Sequence, residues 1–156
     1  MKKTSLMFFI LLCFIAAPLF QLGAQQKGKI LIAYEKTRFK NALVEELDML
    51  LKRDGYSVET VLHSKNGLDK YKASDYRAVF ITNSGVNSEV RPWVNKWIEK
   101  NKTPGTYILL HTTQAKDWQV RASVDTVTSA SAQADVKKLA NDYYERITKA
   151  LNKDGQ

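Results

Sequence analysis

Three basic side chains at alternate positions, Lys36, Arg38 and Lys40, punctuate the run Glu35-Lys36-Thr37-Arg38-Phe39-Lys40-Asn41, which directly follows an apolar segment. Cations placed this way meet a phosphate or carboxylate by side-chain charge, which selects less sharply between the two than a backbone cradle does. The same run also reads as three solvated side chains on a loop and helix start, since charge runs commonly face water. Trp118, in the polar stretch 112–123, offers a flat ring that either stacks on a planar ligand or covers a neighbouring apolar surface. His63, His111 and Ser84 fall near the ends of apolar segments, and with Asp117 they make a nucleophile, base and acid set conceivable. No Gly-x-Ser-x-Gly elbow, no His-Glu-x-x-His pair and no paired carboxylates on one helix face accompany them. A two-histidine metal site lacks a third ligand at usable spacing, so hydrogen-bonded histidines at strand ends are the expected arrangement.

The chain that must position these groups has 156 residues, 44% hydrophobic and 26% charged. Those are ordinary globular values, and they exclude a disordered, collagen-like or multispanning membrane protein. Lys2 and Lys3 precede an apolar run over 6–20 broken by Pro18, and Gln21-Leu22-Gly23-Ala24 follows it. This reads as a signal peptide over 1–24 ahead of a single domain over 25–156, placed in the periplasm or outside the cell once the leader is cleaved, with no stable membrane insertion. An uncleaved leader tethering the domain is the alternative. The only cysteine, Cys13, lies inside the leader between Leu12 and Phe14, which suits neither a lipid anchor nor thiol chemistry in the domain. The net charge of +8 becomes +6 without Lys2 and Lys3, and the basic residues are mixed with acids rather than gathered in a stripe, so nucleic acid is not an expected partner.

Stepping along the chain, apolar runs predict strands over 29–35, 57–63, 78–82, 106–111 and 124–128. Helical spacing predicts helices over 39–55 (Leu43, Leu47, Leu50, Leu51), 88–102 (Val90, Trp93, Val94, Trp97, Ile98) and 132–151 (Val136, Leu139, Ala140, Tyr143, Ile147). A polar connection over 66–77 has room for a short helix. Strands alternating with helices argue for a doubly wound parallel α/β sheet. Ligands bind such sheets beyond the carboxyl ends of the strands, which nominates 36–41, 83–87, 112–118 and 129–131.

The 29–34 strand, the Leu43 helix, Asp75-Tyr76-Arg77-Ala78-Val79-Phe80-Ile81 and Trp93-Val94-Asn95-Lys96-Trp97-Ile98-Glu99-Lys100-Asn101 together resemble a flavodoxin-like protein over roughly 29–151. The resemblance implies a five-stranded sheet of order 2-1-3-4-5 with helices on both faces. It also implies flavin mononucleotide (FMN) at the carboxyl edge, electron transfer and a redox partner protein. It nominates Thr37, Arg38, Lys40, Asn41, Asn83, Ser84, Gly85, Thr112, Thr113, Trp118 and Ser131 as cofactor-binding residues, with no catalytic residue and no metal. The family's phosphate loop is rich in glycine and hydroxyls, whereas 35–41 has no glycine and one hydroxyl. The stretch 112–123 is short for the helix expected between the fourth and fifth strands, so that helix is expected to be missing.

Asp125-Thr126-Val127-Thr128-Ser129-Ala130-Ser131 resembles the Asp-x-x-Ser/Thr-Gly-Ala-Thr acceptor of exported FMN-binding domains, which implies Ser131 as the hydroxyl esterified to FMN. Ser129 stands where glycine is usual, and serine replaces threonine at the acceptor. The same residues also read as a strand-to-helix junction with Ser131 as N-cap and Asp135 in the first turn. Two functions follow: an exported FMN-binding electron-transfer domain, favoured by Ser131 and Trp118, or a cofactor-free binding module of the cell envelope, favoured by the 36–41 loop.

Overall fold

A computed structural model describes residues 26–85, 89–114, 120 and 122–153. The strands are β1 (Lys29–Tyr34), β2 (Ser57–Leu62), β3 (Ala78–Ser84), β4 (Tyr107–Thr113) and β5 (Asp125–Ser129). The helices are α1 (Arg38–Arg53), α2 (Pro92–Asn101) and α3 (Val136–Lys153). All strand pairs are parallel, in the expected order β2-β1-β3-β4-β5. Ile30, Leu31, Ile32 and Ala33 of β1 are each 0% exposed, because a parallel strand with crossovers on both sides is covered on both faces.

One face of the sheet carries α1 and α3, whose Leu43, Leu47, Leu51, Ala140, Tyr143 and Ile147 pack on Ile30, Ile32, Phe80 and Leu109. The other face carries α2 and two single-turn 3-10 helices, Leu68–Lys70 and Ala73–Asp75, with Leu68, Ala73, Val94, Trp97 and Ile98 on Leu31, Val79, Ile81 and Leu110. The 66–77 connection is therefore thin. No helix among the described residues is long and apolar enough to cross a membrane.

Helix α1 starts where Thr37 caps it, its hydroxyl accepting the Lys40 backbone N–H at 3.1 Å. Thr37→Ala is expected to cost about 1 kcal/mol in urea unfolding, the usual worth of such a cap, and an unchanged midpoint would remove the cap from the account. The helix stops at Asp54, and Gly55 follows at φ +91°, a conformation in which a side chain is strained.

Three expectations are corrected. Helix α2 begins at Pro92 rather than 88, with proline at the first helical position where its missing N–H costs nothing. Its buried stripe is then Val94, Trp97 and Ile98, and Trp93, which helical spacing counted with them, is only half-buried. Helix α3 begins at Val136, after a 3-10 turn over Gln133–Asp135 whose N-cap residue is Ala132, so Ser131 is not its N-cap. Between β4 and β5 the described residues form no helix. Instead Val120 is buried against β5, its N–H donating to Thr128 Oγ1 at 3.4 Å and its carbonyl accepting from Thr126 Oγ1 at 3.2 Å. Trp118, Asp117, Asn87 and the leader 1–24 lie outside the described residues.

Candidate functional site

The carboxyl ends of β1, β3, β4 and β5 meet the start of α1 around a cleft of about 400 Å³ lined by Thr37, Arg38, Phe39, Lys40, Ser84, Thr113, Ser131 and Gln133. Of the residues nominated from the sequence, Thr37, Arg38, Lys40, Ser84, Thr113 and Ser131 converge here. The parallel register brings this about: Ser84 pairs with Thr113, and Thr113 with Ser129, so the strand ends stand level. Arg38 and Ser131 are exposed, and the Thr113 hydroxyl is buried with no hydrogen-bond partner among the described residues.

The other nominated residues play different parts. Asn83 and Thr112, 0% and 1% exposed, lie beneath the cleft. Asn83 Nδ2 donates to Thr112 Oγ1 at 3.4 Å, and Asn83 Oδ1 accepts the Arg91 backbone N–H at 3.1 Å, so this amide ties the entry of α2 to β4. Asn41 is exposed on α1 and does not line the cleft. At Gly85 a Cβ would lie 1.7 Å from Gln114 Nε2, so a side chain there would have to displace the Gln114 side chain.

Lys40 departs most from expectation. It is 1% exposed, in phase with Leu43, Val44, Leu47 and Leu51 on the buried side of α1. Its ammonium donates to Glu35 Oε2 and, at 2.7 Å, to Ser84 Oγ. Arg91 Nε donates to the other Glu35 oxygen at 2.9 Å, and the Glu35 backbone N–H reaches Thr82 Oγ1 at 3.1 Å. One carboxylate is thus clasped by two cations on opposite sides. Burial pushes the Glu35 carboxyl up, but the hydrogen bond and charge of Lys40, with Ser84 and His63 beside them, hold it below the usual carboxylate range. Burial pulls Lys40 down against the attraction of Glu35. Glu35 and Arg91 were not nominated from the sequence. The phase of Lys40 with the apolar side of its helix was the one signal that it points inward.

Both histidines are hydrogen-bonded at strand ends, as expected. His63 Nε2 donates to the Thr82 carbonyl at 2.7 Å, which fixes the tautomer because a carbonyl only accepts. His111 Nε2 lies 2.8 Å from Ser129 Oγ, and that hydroxyl donates onward to the Ala130 carbonyl at 3.2 Å. Burial among Phe39, Phe80 and Tyr143 pushes the His111 pKa down to about 3, with Lys40 adding to the effect. A histidine that weakly basic does not activate Ser129, and its Nδ1 has no hydrogen-bond partner among the described residues to orient it. Ser84 contacts Lys40 rather than a histidine, so no nucleophile and base pair forms around it among the described residues.

The acceptor-like segment is stretched out along β5. Asp125 sits at the start of the strand, where it accepts from the Tyr107 hydroxyl and from Arg146 Nη1 at 3.4 Å. Strands rise about 3.3 Å per residue, which puts Asp125 about 13 Å from Ser129 and farther still from Ser131.

Among solved structures the chain is similar to a flavodoxin point variant from Pseudomonas aeruginosa, at 14% identity over 80% of this chain and 99% of that one, with a TM-score of 0.53. It is also similar to the response regulator domain of Thermotoga maritima CheB, at 13% identity over 79% and 96%, with a TM-score of 0.54. A flavodiiron core from Synechocystis matches at 7% identity and a TM-score of 0.52 over 81% of this chain, which spans only 37% of that larger one. No family model and no curated protein matches the chain. The likeness establishes a flavodoxin-like α/β fold, and because a response regulator domain shares it, the fold alone does not select a cofactor.

Proposed function

We propose that the chain is a flavodoxin-like binding module of the cell envelope, exported by its leader, whose carboxyl edge has given up the FMN phosphate site. The clasp of Glu35 by Lys40 and Arg91 carries this reading. A flavin phosphate brings about two negative charges and needs uncommitted N–H groups and hydroxyls at the start of the first helix. Here the run from Glu35 to Asn41 has no glycine to shape a backbone nest, Thr37 is its single hydroxyl, and the buried ammonium of Lys40 already has Glu35 and Ser84. The residues present do not fit the phosphate of FMN. Glu35 offsets one of the two positive charges of Lys40 and Arg91, so the clasp offers a phosphate one net positive charge instead of two.

A second reading, the exported FMN-binding electron-transfer domain, rests on the hydroxyls of Ser84, Thr113 and Ser131 beside exposed Arg38, and on the unpartnered Thr113 hydroxyl. An absorption spectrum separates the two. Protein purified from a flavin-sufficient host that also expresses the flavin transferase is expected to be colourless, without the oxidised-flavin bands at roughly 370 and 450 nm. Bands that stay with the acid-precipitated pellet would establish a covalent ester and point to Ser131, and bands released to the supernatant would establish a noncovalent site. Either result would replace the module with a flavin carrier.

A further inference from the structure

We propose that the cleft between the 63–69 connection and the first two turns of α2 binds a small planar aromatic anion, with Trp93 as its flat wall and Lys65 and Lys96 as its charge partners. The cleft measures about 430 Å³ and is lined by Lys65, Asn66, Asp69, Pro92, Trp93 and Lys96. It lies on the α2 face of the sheet, whereas the Lys40 cleft lies on the α1 face, and the Glu35–Arg91 ion pair links the two.

The fold builds this cleft by thinning one crossover. A full helix between β2 and β3 would cover the flank of α2, but two single-turn 3-10 helices leave it open. The walls are anchored all the same. The Gly67 N–H bonds the Ser64 carbonyl at 3.0 Å, and a Cβ at Gly67 would lie 3.1 Å from Ser64 N, so a tight turn presents Lys65 and Asn66 at its tip. Leu68 is buried just beyond, and Trp97 Nε1 donates to the Tyr71 carbonyl at 3.0 Å, pinning the connection to α2.

The chemistry of the lining sets the ligand class. The Trp93 ring is half-buried, and its Nε1 is a buried donor with no partner among the described residues. The Arg91 guanidinium, held by Glu35, sits 5.0 Å from the ring centroid and fixes the indole from behind. The part of the indole that lines the cleft favours an aromatic ring, by stacking or by edge contact. Lys65 and Lys96 join no ion pair among the described residues, and against the single carboxylate of Asp69 they leave the lining net positive. An aromatic carboxylate or phosphate matches both features, and the cleft is within the usual size range for a small-molecule site.

The probe is 1-naphthoate, titrated into the purified ¹⁵N-labelled protein while the tryptophan indole N–H resonances are followed by NMR, with Trp93→Phe identifying the Trp93 signal. The expected result is a saturable shift of the Trp93 Nε1–H. The dissociation constant should rise at least tenfold in Lys65→Ala/Lys96→Ala, whose exposed positions leave the fold intact, and at least fivefold for the neutral 1-naphthamide. A shift that never saturates, an affinity indifferent to the two lysines or to the charge of the probe, or shifts gathered around Arg38 and Ser84 instead would each overturn the proposal. A yellow, FMN-loaded protein that keeps the Trp93 response would refute the flavin-free module and leave this site standing.

Discussion

Glu35→Ala is expected to lower the stability of the domain by roughly 3 kcal/mol or more in urea unfolding at pH 7, one of the largest single-residue effects available on its polar side chains. The substitution leaves the Lys40 ammonium, 1% exposed, with Ser84 as its remaining hydrogen-bond partner among the described residues and with the Arg91 charge nearby. Burying a charge without a counter-charge is costly, whereas burying none is not. Adding Lys40→Met should therefore restore much of the loss, because the aliphatic replacement fills similar space beside Phe39 and Leu43 without a charge. A double variant as unstable as the sum of its two singles would show that the pair is not coupled, and a loss below 1 kcal/mol in Glu35→Ala would show that Lys40 is not truly desolvated.

His111 sets the second expectation, a weakening of the fold on mild acidification. Its folded pKa is pushed down to about 3 by burial, so the unfolded chain takes up a proton below about pH 6.5 that the folded chain refuses. Stability falls wherever the unfolded state binds more protons, which for this group is the window from pH 6.5 down to about 3. By pH 4.5 the loss from His111 alone is about 2–3 kcal/mol, at about 1.4 kcal/mol per pH unit. His63, also lowered by burial, adds to the same limb. Glu35, whose folded pKa is depressed, contributes stability that is lost only at lower pH, as the solution passes through that folded value. Urea unfolding at a series of pH values should show a distinctly shallower acid limb for His111→Gln, which keeps an amide donor for Ser129 but does not titrate. Parallel limbs for the variant and the wild type would mean that His111 is not held neutral by burial.

The elements were legible because their signals are local. The unbroken apolar run of β1 and the spacing of Leu43, Leu47 and Leu51 on α1 are read from neighbours in the chain, and the strand order followed from the resemblance those segments carry. Boundaries failed where one residue shifts the phase. Counting from Val90 placed Trp93 on the apolar stripe, whereas starting the helix at Pro92 moves the stripe to Val94, Trp97 and Ile98 and turns Trp93 toward the 63–69 connection. The candidate site was half legible. Strand-end placement brought Thr37, Arg38, Lys40, Ser84, Thr113 and Ser131 to one cleft, since the register of a parallel sheet brings carboxyl ends level. What decides the chemistry was hidden, because Glu35 meets Arg91 across 56 residues of chain and only the folded sheet brings them together.

The most direct test is a titration of FMN fluorescence with the wild-type protein and with Glu35→Gln, which keeps the shape of the clasp and removes its negative charge. The wild type is expected to leave the fluorescence unquenched apart from dilution, while Glu35→Gln, with Lys40 and Arg91 left without their counter-charge, gains measurable affinity for the phosphate of FMN. Saturable quenching by the wild type that excess inorganic phosphate displaces, and that is as strong as with Glu35→Gln, would contradict the claim that this carboxylate keeps the flavin phosphate out.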